Sequence, residues 1–186
     1  MHNAVIFAGG KSSRMGQDKA LLPMNGYRSM AELQYHKLQA LFEKVYISSK
    51  EEKFDFEAPI IKDTYPQSSP MVALGSVLAQ LHDAPLFILS VDMPLIGKQE
   101  IEALITHYLQ TDPKPDILIA KSPRGLEPLC GIYHPRILPE IKALLATDTH
   151  RMRALLDDVD TRTLYFDDSS AFANINTPQE YQAILP

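Results

Sequence analysis

A single cysteine, Cys130, stands in 186 residues. That excludes an intrachain disulfide and most structural zinc sites, which need several thiolates. The six histidines are scattered, none at metal-ligand spacing, and His36, His107 and His134 read as surface or core filler. Cationic excess is missing too: 18 Lys and Arg face 23 Asp and Glu, a net charge of −5. A generic nucleic-acid binder draws its affinity from phosphate neutralisation, so this balance argues against one and leaves any phosphate chemistry to a local basic patch. No apolar run approaches the roughly 20 residues of a membrane span. The first run, Ala4 to Ala8, is too short for a signal-peptide core and has no cationic start. These absences lead to the expectation of a soluble, cytoplasmic protein in a reducing compartment. Neither GxGxxG nor GxxxxGK followed by Ser or Thr occurs, which weakens dinucleotide-oxidoreductase and kinase-like readings.

What is present is an alternation of short apolar runs and helical patterns. Val5–Phe7, Val45–Ile47, Ile60–Ile61, Leu86–Leu89 and Ile117–Ile119 read as strands. Helices are expected over 29–42, where Ser29 and Glu32 form a capping box, and over 71–81 and 98–109. Strands apolar on both faces predict an α/β domain: a doubly wound, mostly parallel sheet with helices on both faces. The whole chain, residues 1–186, reads as one domain. The second half is less regular, with strands at 129–133 and 163–166, helices at 135–145 and 151–156, and a last helix opened by Thr177 and Pro178.

Three segments carry chemistry. In AVIFAGGKSSRMGQDKALL (residues 4–22), Gly9 and Gly10 follow the first strand and admit an anion to backbone amides, because no Cβ intrudes. Lys11, Arg14 and Lys19 add cations suited to a polyphosphate, Lys19 and Arg14 the stronger candidates, while Lys11 can equally be solvated. In VDMPLI, Asp92 directly follows the most hydrophobic strand and so lies at the edge of the sheet where ligands bind. It is a hard oxygen ligand suited to Mg²⁺ and falls too early to cap the helix near Lys98. In ANINTPQE, Thr177, Pro178 and Glu180 make a helix start, and Asn174 and Asn176 alternate around Ile175, offering two side-chain oxygens to one side. Asp63 either reaches the site or caps the Thr64-Tyr65-Pro66 turn. Cys130 reads as a small buried hydrophobe, and Arg151 and Arg153 as an exposed charged face.

AGGKSSRMGQDK resembles the signature loop of nucleotidyltransferases, and its RMG and DK most resemble the molybdenum cofactor guanylyltransferases. The resemblance covers most of the chain and implies a nucleotide-binding part at about 1–95 and an acceptor-binding part at about 96–186 of the single domain. It implies that Phe7, Ala8, Gly9, Gly10, Lys11, Arg14 and Lys19 wrap the triphosphate of GTP, and that Asp92 coordinates magnesium. Asp63 would contact the nucleoside, and Asn176, with Asn174 a weaker candidate, would sit near the metal and phosphates on the acceptor side. Arg124 to Tyr133 would face the acceptor. One departure is visible: the family's GPLxG stretch reads Ser69-Pro70-Met71-Val72-Ala73, with both glycines replaced. The implied reaction is Mg²⁺-dependent transfer of GMP from GTP to the terminal phosphate of molybdenum-bearing molybdopterin, with hand-over to delivery or recipient proteins. The alternatives are a sister enzyme using CTP or a sugar-phosphate acceptor, and a nucleotide-binding homologue without turnover.

Overall fold

The computed structural model describes residues 1–10, 15–63 and 67–185. Seven strands form one sheet: β1 (Asn3–Phe7), β2 (Lys44–Ser48), β3 (Ile60–Ile61), β4 (Leu86–Ser90), β5 (Ile117–Ser122), β6 (Gly125–Tyr133) and β7 (Thr161–Tyr165). Their spatial order is β3-β2-β1-β4-β6-β5-β7. All neighbours pair parallel except β6, which runs antiparallel between β4 and β5. The helices are α1 (Met30–Gln39), α2 (Pro70–Gln80), α3 (Lys98–Gln110), α4 (Leu138–Ala146), α5 (Met152–Asp158) and α6 (Pro178–Ile184).

Side-chain alternation along each strand divides the interior into two cores. Ala4, Ile6, Phe87 and Leu89 pack with Met30 and Leu38 of α1 and Ile101 and Leu104 of α3. Val5, Phe7 and Ile88 face the other way, onto Val77 of α2, Ile141 of α4 and Leu155 of α5. The doubly wound α/β architecture follows directly, because strands apolar on both faces need cover on both.

The strand β1 pairs with β2 on one side and β4 on the other, so the chain reverses its winding direction there. Such a switch point opens a crevice beyond the carboxyl ends of the strands. Phe7 stands opposite Ser48 on one side and Ser90 on the other, so all three strand ends meet at this crevice.

Three local expectations are corrected. The strand expected at 129–133 begins earlier, at Gly125, since β6 continues through Pro128 by a register shift opposite Ile119 and Ala120. The helix expected over 135–145 is a 3₁₀ turn (Pro135–Ile137) followed by α4. Ser29 does cap α1 by accepting from the Glu32 amide, but the Glu32 carboxylate returns to the Arg28 amide (2.8 Å) and guanidinium rather than to Ser29.

Where β6 crosses β5, Gly131 lies so close to its neighbour that a Cβ would stand 2.3 Å from the Leu118 carbonyl oxygen and 2.8 Å from the Ile119 Cα. Both obstacles are backbone at the centre of a sheet and cannot swing aside. Gly131→Ala is expected to cost about 3 kcal/mol, the upper end of ordinary overpacking, read as a lowered urea midpoint at unchanged slope.

Candidate active site

The crevice at the switch point opens into a cavity of about 610 Å³ whose lining includes Phe7, Gly9, Gly10, Asp63, Ser90 and Asp92, together with Ser69, Ala73 and Leu129. Among the described residues, nothing beyond the immediate chain neighbours lies within 4 Å of where a Cβ on Gly9 or Gly10 would be. Packing against the described residues therefore does not demand glycine at these positions. A φ of 149° demands it at Gly10, while bare backbone at Gly9 leaves the floor open to a close-lying ligand. Lys11 and Arg14, the other cations expected on this loop, lie outside the described residues.

Downstream of that loop stands a short 3₁₀ turn, Lys19–Leu21, capped by Asp18, whose carboxylate accepts from the Ala20 amide at 3.0 Å. The cap is held in turn by Lys53, which lies between β2 and β3. Its ammonium donates both to the Asp18 carboxylate and to the Ala8 carbonyl, the latter at 3.0 Å. Ala8 itself points into the core, so its part in this region is the carbonyl. The result is that Lys19 is delivered at a defined place.

Its ammonium donates to Asp92 Oδ2 at 2.7 Å and to Asn176 Oδ1 at 2.9 Å, with both charged side chains largely buried. Asp92 reaches this point because β4 ends at Ser90. The Ser90 hydroxyl donates to Asp92 Oδ1 at 2.6 Å, which fixes the carboxylate. Asn176 reaches it because Ile175 is buried in the core and its amide donates to the Asp92 carbonyl at 2.9 Å. The next residues start α6 with the expected capping box: Thr177 accepts from the Glu180 amide, and Glu180 accepts from the amides of Asn176 and Thr177. The helix start and the site contact belong to one device. Asn174 lies half-buried two residues upstream on the same segment.

Asp63 lines the cavity near the end of β3, with the Ser48 hydroxyl 3.4 Å away. Partial burial holds its carboxyl above the usual carboxylate range, against the opposing pull of Lys50 and Ser48. The turn it was alternatively expected to cap, residues 64–66, lies outside the described residues. Ser69, standing where the family's first glycine would be, caps α2 by accepting from the Val72 amide at 3.2 Å and hydrogen-bonds His150 Nδ1 at 3.0 Å. The two replaced glycines thus bring a hydroxyl and a methyl group to the cavity wall. Cys130 is fully buried and burial pushes its thiol far up, as expected of a hydrophobe. Arg153 pairs with Asp157 on the exposed face of α5.

Lys53, Ser90 and Ser69 were not read as site residues from the sequence. Lys53 contacts partners 35 and 45 residues away, so no local spacing marks it.

A model of the MobA-like NTP transferase domain matches residues 4–163. A molybdenum cofactor guanylyltransferase of Campylobacter jejuni (serotype O:6) is 37% identical over 182 residues, 97% of this chain and 93% of its own. Another, of Helicobacter pylori (strain G27), is 30% identical over 186 residues, 96% of this chain and 89% of its own. Among solved structures, molybdopterin-guanine dinucleotide biosynthesis protein A of Archaeoglobus fulgidus shares the fold at a TM-score of 0.83 and 21% identity, over 97% of this chain and 95% of that one.

Proposed function

The chain belongs to the MobA-like NTP transferase family, and on that premise we propose that it transfers GMP from GTP to the terminal phosphate of molybdenum-carrying molybdopterin. An oxygen of the acceptor phosphate attacks the α-phosphorus of GTP in line. The bond from that phosphorus to the bridging oxygen of the β-phosphate breaks, and pyrophosphate leaves with the electron pair. An anionic phosphate needs no strong base, so the protein's work is positioning and charge neutralisation.

The observation that carries this reading is the convergence of Lys19, Asp92 and Asn176 beside the glycine-floored cavity. Lys19 faces the phosphates with its ammonium, and Lys11 and Arg14 are assigned to them from the loop sequence. The loop amides after Phe7 add donors that cost no reorganisation. Asp63 lines the same cavity and is assigned to the nucleoside. Leu129 and the β6 segment around it form the acceptor side with Asn174 and Asn176.

The donor chemistry at this point fits a magnesium ion. One carboxylate oxygen and one amide oxygen already converge on a cation, the Lys19 ammonium, within 2.9 Å. Among the described residues no group of three or more His, Cys, Asp or Glu could cage a metal, and Mg²⁺ typically takes one or two carboxylates and completes its shell with phosphate oxygens and water. Asp92 would hold it, with Asn176 the weaker ligand, and when bound it would neutralise charge on the phosphates.

Calorimetric titration with GTP, CTP, ATP and UTP, each with Mg²⁺, followed by pyrophosphate release in the presence of acceptor, tests the reading. GTP is expected to bind at least about tenfold tighter than the others, a difference of about 1.4 kcal/mol, and to release pyrophosphate only with acceptor. A CTP preference would move the assignment to a sister transferase. Binding of GTP without pyrophosphate release would mark a nucleotide-binding homologue.

A further inference from the structure

The turn that carries Asp92 is poorly held by its own backbone. Its two internal hydrogen bonds, Met93 amide to Ser90 carbonyl and Ile96 amide to Met93 carbonyl, are 3.3 and 3.4 Å long. Its carbonyls are instead taken up by α1. Gln34 Nε2 donates to the Met93 carbonyl at 2.8 Å, and Lys37 Nζ donates to those of Pro94 and Ile96, each at 2.7 Å. Gln34 and Lys37 are three residues apart, hence neighbours on one helix face, and they engage three carbonyls within four residues of Asp92.

This is a costly way to build an inner helix face. Gln34 is 0% exposed, and its Oε1 finds no partner among the described residues. Lys37 is buried enough that its ammonium is pushed down to about 8, with Glu100 of α3 pulling the other way. Apolar residues there would extend the core formed by Met30, Leu33 and Leu38 without burying polar groups. The arrangement makes sense if the turn has to be held in one conformation. Lys37 suits that task in either charge state, since a neutral amine still carries two N–H donors for its two carbonyls.

We propose that Lys37 and Gln34 are positioning residues that lock the Asp92 turn onto α1, so that the carboxylate is presented to Lys19 and Asn176. This rests on the reading of Asp92 as the carboxylate of the transfer site. The second support for Asp92, the Ile175 amide on its carbonyl, comes from the other side, so the turn is gripped between α1 and the segment before α6.

The test compares wild type with Lys37→Met, Lys37→Arg and, should Lys37→Met fail to fold, Gln34→Met. Hydrogen exchange of the substrate-free protein is the primary readout. In Lys37→Met the Met93 and Ile96 amides are expected to exchange about tenfold faster or more, with the β4 amides unchanged, as for local opening of one turn. Lys37→Arg, which keeps the charge and several donors, should lie closer to wild type. In turnover with GTP and acceptor, kcat should fall roughly tenfold to a hundredfold, as for a small misplacement of a reacting group, with the KM for GTP nearly unchanged. Unchanged Met93 and Ile96 exchange in Lys37→Met would overturn the proposal, as would a loosened turn with wild-type kcat. An inactive wild type would instead sink the transfer reading, leaving the exchange result to decide the lock.

Discussion

Asp92→Ala is expected to lower pyrophosphate release by at least about 10²-fold, the usual scale for deleting one electrostatic stabiliser of a transition state, while leaving the fold intact. The carboxylate lies beyond the last residue of β4, so neither core loses apolar contact when it is removed. What is lost is a carboxylate partner of Lys19 and the acceptor of the Ser90 hydroxyl. Lys19 would then stay largely buried without this carboxylate, and some stability loss is expected because removing one partner of a buried ion pair is costly. Asp92→Asn separates the two effects. It keeps the size of the side chain, an oxygen to accept from Lys19 and an NH₂ that can donate to the Ser90 hydroxyl oxygen, so its melting temperature should lie between those of Asp92→Ala and wild type while turnover stays low. The measurement is pyrophosphate release at several Mg²⁺ concentrations with circular dichroism as control. An Asp92→Ala protein that turned over at the wild-type rate with undiminished response to Mg²⁺ would end the assignment of this carboxylate to the metal.

The parallel half of the sheet could be read from the chain because its strands are buried on both faces and so appear as uninterrupted apolar runs: Val5–Phe7 and Leu86–Leu89 have no other good use. β6 was half hidden for the opposite reason. Its first residues, Gly125-Leu126-Glu127-Pro128, carry a proline and a charge, and only the register shift opposite Ile119 lets them pair. Burial pushes the Glu127 carboxyl up, and the Ser122 hydroxyl, at 2.9 Å, opposes that. In the site, Asp92 and Lys19 were legible because each follows a strand or glycine signal that says where it must lie. Asn176 was legible as one of a pair, and the geometry brings it to Lys19. Lys37, Gln34 and Lys53 were not legible, since each looks like an ordinary helix or loop residue until the fold sets it against a carbonyl some 45 to 59 positions away.

Lys19→Ala is expected to weaken GTP binding and turnover together by roughly 10²-fold, while GMP affinity changes only a few-fold, because a cation aimed at the β- and γ-phosphates has little to grip on a monophosphate. The geometry sharpens this. Lys19 is placed by a chain of contacts, Lys53 to Asp18 to the 3₁₀ turn, and ends 2.7 Å from Asp92. On the proposed reading, incoming phosphates meet an ammonium already neutralised in part by a carboxylate, and the pair is expected to act on substrate as a unit. Residues that act as a unit are strongly non-additive, so Lys19→Ala combined with Asp92→Ala should be scarcely slower than Asp92→Ala alone. Isothermal titration with GTP, GDP and GMP gives the first comparison, and pyrophosphate release across the double-mutant cycle gives the second. Equal losses for GTP and GMP would place Lys19 against the nucleoside instead. Fully additive losses would mean that Lys19 and Asp92 serve separate parts of the substrate, and that their contact belongs to the free protein only.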